Sequence, residues 1–167
     1  LKRLLHPDDR IPNSRDRYYL MKYDVATGLS ERLTYGSHNV YLNDISPDGK
    51  KLLCSTSKPD ITRCPFSLSS LFEIDLTTLQ ADTLVAWDAY LGSASYSPDG
   101  KQLLVTGSPS AFGGIGKNCG EHPIANDFDT QAFIMDLATK KVQAITRDFN
   151  PTVSPVQWNR VDGCIYF

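Results

Sequence analysis

The string Ser46-Pro47-Asp48-Gly49-Lys50 returns as Ser97-Pro98-Asp99-Gly100-Lys101, 51 residues later. A second motif alternates with it: Tyr23-Asp24-Val25-Ala26-Thr27, Ile74-Asp75-Leu76-Thr77-Thr78 and Met135-Asp136-Leu137-Ala138-Thr139, at offsets of 51 and 61. Each Asp is followed nine positions on by an aliphatic residue and then Thr or Val: Leu33-Thr34, Leu84-Val85, Ile145-Thr146. A repeat of this length forces the same supersecondary unit to recur and to bury its apolar face against copies of itself.

The local chemistry is that of strands and tight turns. Alternate residues share a face of a strand, so Met21, Tyr23 and Val25 are expected on one face, matched by Phe72, Ile74, Leu76 and by Phe133, Met135, Leu137. All three copies should bury that face. The opposite face mixes Leu20, Lys22, Leu71, Glu73, Ala132 and Ile134, as expected where sheets stack from both sides. In the Ser-Pro-Asp-Gly turns, Pro47 and Pro98 preset φ, Asp48 and Asp99 suit the next position, and Gly49 and Gly100 accept positive φ. The thrice-repeated Asp reads as a turn former whose carboxylate accepts backbone N–H groups; catalysis would need such a group once.

Each repeat then holds four short antiparallel strands: into Ser-Pro-Asp-Gly, out of it, into the Asp, and ending at Leu-Thr. Four strands at this period make a propeller blade, so the fold class is all-β, a partial β-propeller of two complete blades plus two half-blades. The expected divisions are a linker at 1–17, a half-blade at 18–36, blades at 37–87 and 88–148, and a half-blade at 149–167. The wider second spacing places an insertion at 107–130. The chain opens at Leu1 and stops inside the apolar run Cys164-Ile165-Tyr166-Phe167, which reads as a segment of something longer.

Composition limits the function classes. Of 167 residues, 41% are hydrophobic and the net charge is −2 without like-charge clusters, which suits a globular domain and gives nucleic acid or an anionic membrane no basic patch. No apolar stretch approaches the roughly 20 residues of a membrane-spanning helix. Cys54, Cys64, Cys119 and Cys164 form no CxxC pair and have no His at ligand spacing, so neither zinc nor a dithiol redox site is expected. Cys54 and Cys164 read as strand residues packed like small hydrophobes; Cys64 and Cys119 read as loop residues, with a loop disulfide as the alternative.

No catalytic residue is expected. A nucleophile elbow, Gly-x-Ser-x-Gly, is absent; Thr106-Gly107-Ser108-Pro109-Ser110 lacks the second Gly. His6, His38 and His122 sit among turn residues and read as surface groups. Residues 111–118 imitate a phosphate loop but lack its first Gly and its Ser or Thr, and read as a flexible insertion. Asp127-Phe128-Asp129 offers two carboxylates without the Gly and distal Glu of a calcium loop. No cofactor or metal is expected. The insertion remains the most plausible binding surface, with Lys117, Glu121, His122, Asp127 and Asp129 as its charged or titratable residues.

At Tyr96-Ser97-Pro98-Asp99-Gly100-Lys101, with the later Asp-Leu strand end and Leu-Thr close, the sequence resembles TolB-type, WD-repeat-like β-propellers. The first copy departs by carrying Ile45 at the aromatic position. The last keeps Trp158 but replaces Ser-Pro by a longer link in Trp158-Asn159-Arg160-Val161-Asp162-Gly163, so a different turn is expected there. The long loops and divergent blades look more like the N-terminal propeller of prolyl-oligopeptidase-family, dipeptidyl-peptidase-like serine peptidases. That resemblance implies a periplasmic or secreted protein, further blades, a C-terminal α/β-hydrolase domain carrying the catalytic Ser, Asp and His, and short peptide substrates. The acidic Glu-Glu pair of the dipeptidyl-peptidase pattern is absent. A TolB-like propeller that binds proteins without an attached enzyme is the alternative.

Overall fold

The computed structural model describes residues 17–119, 127–149 and 151–167. Among these residues, twelve strands fall into four antiparallel sheets. The first is a hairpin of β1 (Met21–Tyr23) and β2 (Ser30–Arg32). The second runs in order through β3 (Val40–Ile45), β4 (Lys51–Pro59), β5 (Ser67–Asp75) and β6 (Ala81–Asp88). The third repeats it with β7 (Leu91–Tyr96), β8 (Gln102–Gly107), β9 (Gln131–Asp136) and β10 (Val142–Ala144), interrupted after β8 by a tight irregular turn, α1 (Ala111–Gly114), in which Phe112 and Gly113 are left-handed at φ 54° and 74°. A hairpin of β11 (Gln157–Trp158) and β12 (Ile165–Tyr166) ends the chain. Two complete four-stranded blades lie between two half-blades, as the repeat predicts.

The repeated turns do what their residues suggest, and the serine adds a role that the sequence did not disclose. Gly49 and Gly100 both sit at φ 70°. The Ser46 hydroxyl donates to Asp48 Oδ1 at 2.7 Å and accepts the Lys51 N–H at 2.9 Å; Ser97 does the same with Asp99 at 2.6 Å and Gln102 at 3.0 Å. Each serine therefore closes its hairpin from inside. At the other turn, Asp24 Oδ1 accepts the N–H groups of Ala26 and Thr27, and Asp75 Oδ1 those of Thr77 and Thr78. Asp136 Oδ1 accepts from Thr139 N–H and Oγ1, both at 2.8 Å. The two motifs meet in space: the Lys50 and Lys101 carbonyls accept the N–H groups of Leu76 and Leu137.

The last turn differs from Ser-Pro-Asp-Gly, but it is not longer. Ile45 faces Leu52, Tyr96 faces Leu103 and Trp158 faces Ile165, so all three hairpins enclose the same number of residues. What changes is where the left-handed residue falls. Gly163, at φ 71°, donates to the Asn159 carbonyl, and Asn159 Oδ1 accepts the Val161 N–H at 2.8 Å. This is the pattern of the Asp24 turn, with Gly28 at φ 74°. Asn, which also accepts N–H groups through its side chain, converts one turn type into the other.

The blades stack face to face. Leu53, Leu71 and Leu84 of the first blade pack with Tyr96, Leu103, Val105, Phe133 and Met135 of the second in one continuous core. Its opposite neighbours are smaller: Leu52, Cys54 and Ile74 meet Leu20 and Leu33 of the first half-blade, while Leu104, Ala132 and Val153 meet Trp158 and Ile165 of the last. The alternation thus works in both blades: Phe72 and Ile74, like Phe133 and Met135, face the preceding sheet, while Leu71, Ala132 and Ile134 face the following one. The expectation fails in the first copy. Met21, Tyr23 and Val25 are 55%, 63% and 89% exposed, because no sheet among the described residues lies on their side. Glu73, on the following-sheet face, is buried between Lys51 Nζ at 2.9 Å and the Tyr96 hydroxyl at 2.7 Å, so a charged group staples one blade to the next.

No helix among the described residues is long and apolar enough to cross a membrane. All four cysteines are free thiols. Cys54 is fully buried and its thiol is pushed up to about 12 by that burial. Cys164 is not packed as expected; it lies exposed at the foot of the last turn, its N–H held by Asp162 Oδ1 at 2.8 Å.

Candidate functional site

The repeats place all Ser-Pro-Asp-Gly and Asp turns at one end of the sheets and send the variable connections to the other. There the β4–β5 loop, the β6–β7 connection and the insertion after β8 surround a cleft of about 650 Å³. Its walls are mostly apolar, with Pro65, Phe66, Tyr90, Leu91 and Phe128 joined by Cys64 and Asp127. Phe66 and Phe128 stand exposed at the rim. Aromatic side chains around a concave surface with one acidic group suit an extended, partly apolar ligand.

Fixed contacts hold the walls. Asp60 Oδ1 accepts Thr62 N–H and Oγ1, and Asp60 Oδ2 pairs with Arg63 Nε at 2.8 Å, which shapes the β4–β5 loop. Asp88 bridges outward: Oδ1 accepts the Tyr90 N–H and Oδ2 the Phe112 N–H, each at 2.8 Å. Phe112 lies edge-on against Phe133, 5.2 Å between centroids. Residues 111–118 are therefore an anchored turn where a flexible loop was expected, because Asp88 and Phe133 supply what the local sequence lacks.

Of the five insertion residues, the three described ones, Lys117, Asp127 and Asp129, do not converge. Asp127 lines the cleft and accepts the Ser110 hydroxyl in a short hydrogen bond, with the Ser108 hydroxyl at 3.4 Å. Asp129 accepts the Thr152 hydroxyl at 2.9 Å, tying the insertion to the last half-blade. Lys117 is exposed, and its carbonyl accepts Arg147 Nε at 3.0 Å. Glu121 and His122 lie outside the described residues. The two Asp side chains thus bind hydroxyls on different segments, and among the described residues no group of three or more His, Cys, Asp or Glu side chains could hold a metal. His38 stands on the surface against Trp87, 5.9 Å between ring centroids, and His6 lies outside the described residues.

A second concave surface was missed by the sequence reading. The first strands β3 and β7 approach each other and, with β11, line a polar groove of about 360 Å³ on the side a propeller turns toward its axis. Asp44 is its organiser: Oδ2 accepts the Tyr96 N–H at 2.9 Å, and Oδ1 lies 3.8 Å from Arg160 Nη2. Asn43 Nδ2 is buried beside it with no hydrogen-bond partner. Ser95 holds the place of Asp44 one repeat later, so no repeated residue could have signalled this role.

No protein-family model matches the sequence, and no curated protein does. Solved structures do. The chain is similar to TolB from Acinetobacter baumannii, with TM-score 0.53 and 16% identity over 88% of this chain and 36% of that one. It is also similar to an acylaminoacyl peptidase solved with Z-Gly-Gly-Phe-chloromethyl ketone, with TM-score 0.51 and 17% identity over 83% of this chain and 21% of that one. The chain spans little more than a third of the first protein and about a fifth of the second. Identity at this level speaks to architecture alone, and there the blades, their stacking and both matches agree: the chain is part of a β-propeller.

Proposed function

We propose that this chain is a non-catalytic propeller segment of a prolyl-oligopeptidase-family serine peptidase, periplasmic or secreted, whose loop end gates and positions short peptides. In this reading, 37–87 and 88–148 are whole blades, 18–36 and 149–167 are half-blades, and 1–17 is a linker. The observation that carries it is the cleft lined by Phe66 and Phe128, a mostly apolar trough of about 650 Å³ with Asp127 on its wall. Lys117, Glu121, His122 and Asp129 belong to the same insertion and would flank an entering peptide. The likeness to an acylaminoacyl peptidase supports the reading through its fold.

The likeness to TolB favours a second reading, a protein-binding propeller with no enzyme attached. Sequencing the native reading frame separates the two. Gly-x-Ser-x-Gly followed by Asp and His, in α/β-hydrolase order, is the expected result. A stop after further Ser-Pro-Asp-Gly repeats would overturn the peptidase reading and leave the binding module.

A further inference from the structure

We infer that the polar groove between β3, β7 and β11 binds a neutral saccharide through Asn43, Asp44 and Gln157. The inference does not rest on the peptidase reading: of the residues lining the groove, only Thr106 also lines the loop-end cleft.

The repeat itself builds the groove. Ile45, Tyr96 and Trp158 hold equivalent places in their hairpins, facing Leu52, Leu103 and Ile165. The residues before them, Asp44, Ser95 and Gln157, are therefore one position repeated in three successive first strands, and all three line the groove. A carboxylate, a hydroxyl and an amide at one position serve no common structural purpose. What they share is a hydrogen-bonding group on one surface. Asn43 joins them through a bulge: the pairing of β3 with β4 passes from Leu42 opposite Cys54 to Asp44 opposite Leu53, leaving Asn43 unpaired between them. Bulges re-aim side chains in this way, and here two consecutive residues reach the same groove.

Asp44 is held in place from two blades. Its Oδ1 accepts the Ile45 N–H at 2.8 Å and its Oδ2 the Tyr96 N–H at 2.9 Å, so each oxygen keeps a further lone pair for a ligand. Asn43 Nδ2 is buried with no hydrogen-bond partner among the described residues. Leaving a buried donor unmade is costly, and a bound acceptor would remove that cost.

The same groups select the ligand. Asp44 Oδ1 lies 3.8 Å from Arg160 Nη2, so the two charges offset each other and the groove favours neither a cation nor an anion. A peptide added as a strand along β7 would need the Tyr96 N–H that Asp44 already holds. A hydroxyl donates once and accepts twice, so neighbouring hydroxyls on a sugar ring can donate to Asp44 while accepting from Asn43 and Gln157. The volume of about 360 Å³ lies at the small end of ligand sites and suits a short saccharide.

The test is an array of neutral saccharides probed with the native full-length protein, followed by calorimetric titration of the tightest binder against Asn43→Ala and Gln157→Ala. Glucuronate, glucosamine and triglycine serve as charged and peptide probes. Asn43 Nδ2 holds nothing together, so N43A should melt as the native protein does while binding about tenfold more weakly, and Q157A should weaken binding similarly. No binding anywhere on the array, affinity unchanged in either variant, or tighter binding of glucuronate, glucosamine or triglycine would overturn the inference.

Discussion

At the scale of single residues, the chain relies on short polar side chains that replace backbone partners in turns. Hydrogen bonds from Thr27, Thr78 and Thr139 hold the carboxyls of Asp24, Asp75 and Asp136 below the ordinary range, and the Ser46 and Ser97 hydroxyls do the same for Asp48 and Asp99. A folded-state pKa below the unfolded one means that this stabilisation is fully present at neutral pH. It is lost as pH falls through the unfolded value of about 4 and on through the folded one. Thermal melts should therefore show the melting temperature falling below about pH 4. Asp75→Asn, which keeps an acceptor oxygen but no charge, should show a shallower fall; a melting temperature constant down to about pH 3 would contradict the assignment. Three appearances made the Asp role legible in the sequence. Asp44 occurs once in its register and Glu73 looks like any exposed strand glutamate, so their roles emerge only when strands from different blades come together.

At the scale of elements, the interface between the two whole blades carries the largest of the core clusters among the described residues and the buried carboxylate of Glu73. Lys51 is pushed upward by its hydrogen bond to Glu73, and the Tyr96 hydroxyl upward by burial and then by the same carboxylate. Removing Glu73 leaves the Tyr96 hydroxyl between blades with no acceptor. Glu73→Ala should cost about 3 kcal/mol in urea unfolding, and Glu73→Gln, which still accepts from Tyr96, clearly less. A cost for Glu73→Ala below about 1 kcal/mol, the range of ordinary surface substitutions, would remove the staple from the account. Strand order and facing were legible because period-two alternation and repeated turns constrain both. The anchored insertion turn was not, since it depends on Asp88 and Phe133, each distant in sequence from the residue it holds.

At the scale of the whole molecule, the stacked blades share one core while the half-blades contribute two strands each. Among the described residues no sheet lies against that face of β1–β2, which explains why the pattern predicts burial of Met21, Tyr23 and Val25 while they stand exposed. The cleft at the loop end arises from three connections that differ between repeats, so periodicity was silent about it. The central claim is that two four-stranded blades stack through Leu53, Leu71, Tyr96, Leu103 and Phe133. Amide hydrogen exchange on the dilute chain tests it most directly, because protection follows local stability. The account predicts the slowest exchange in the interior strands β4, β5, β8 and β9, and rapid exchange in β1 and β12. Equal protection of β1 and β5, or fast exchange throughout β4 and β8, would contradict it.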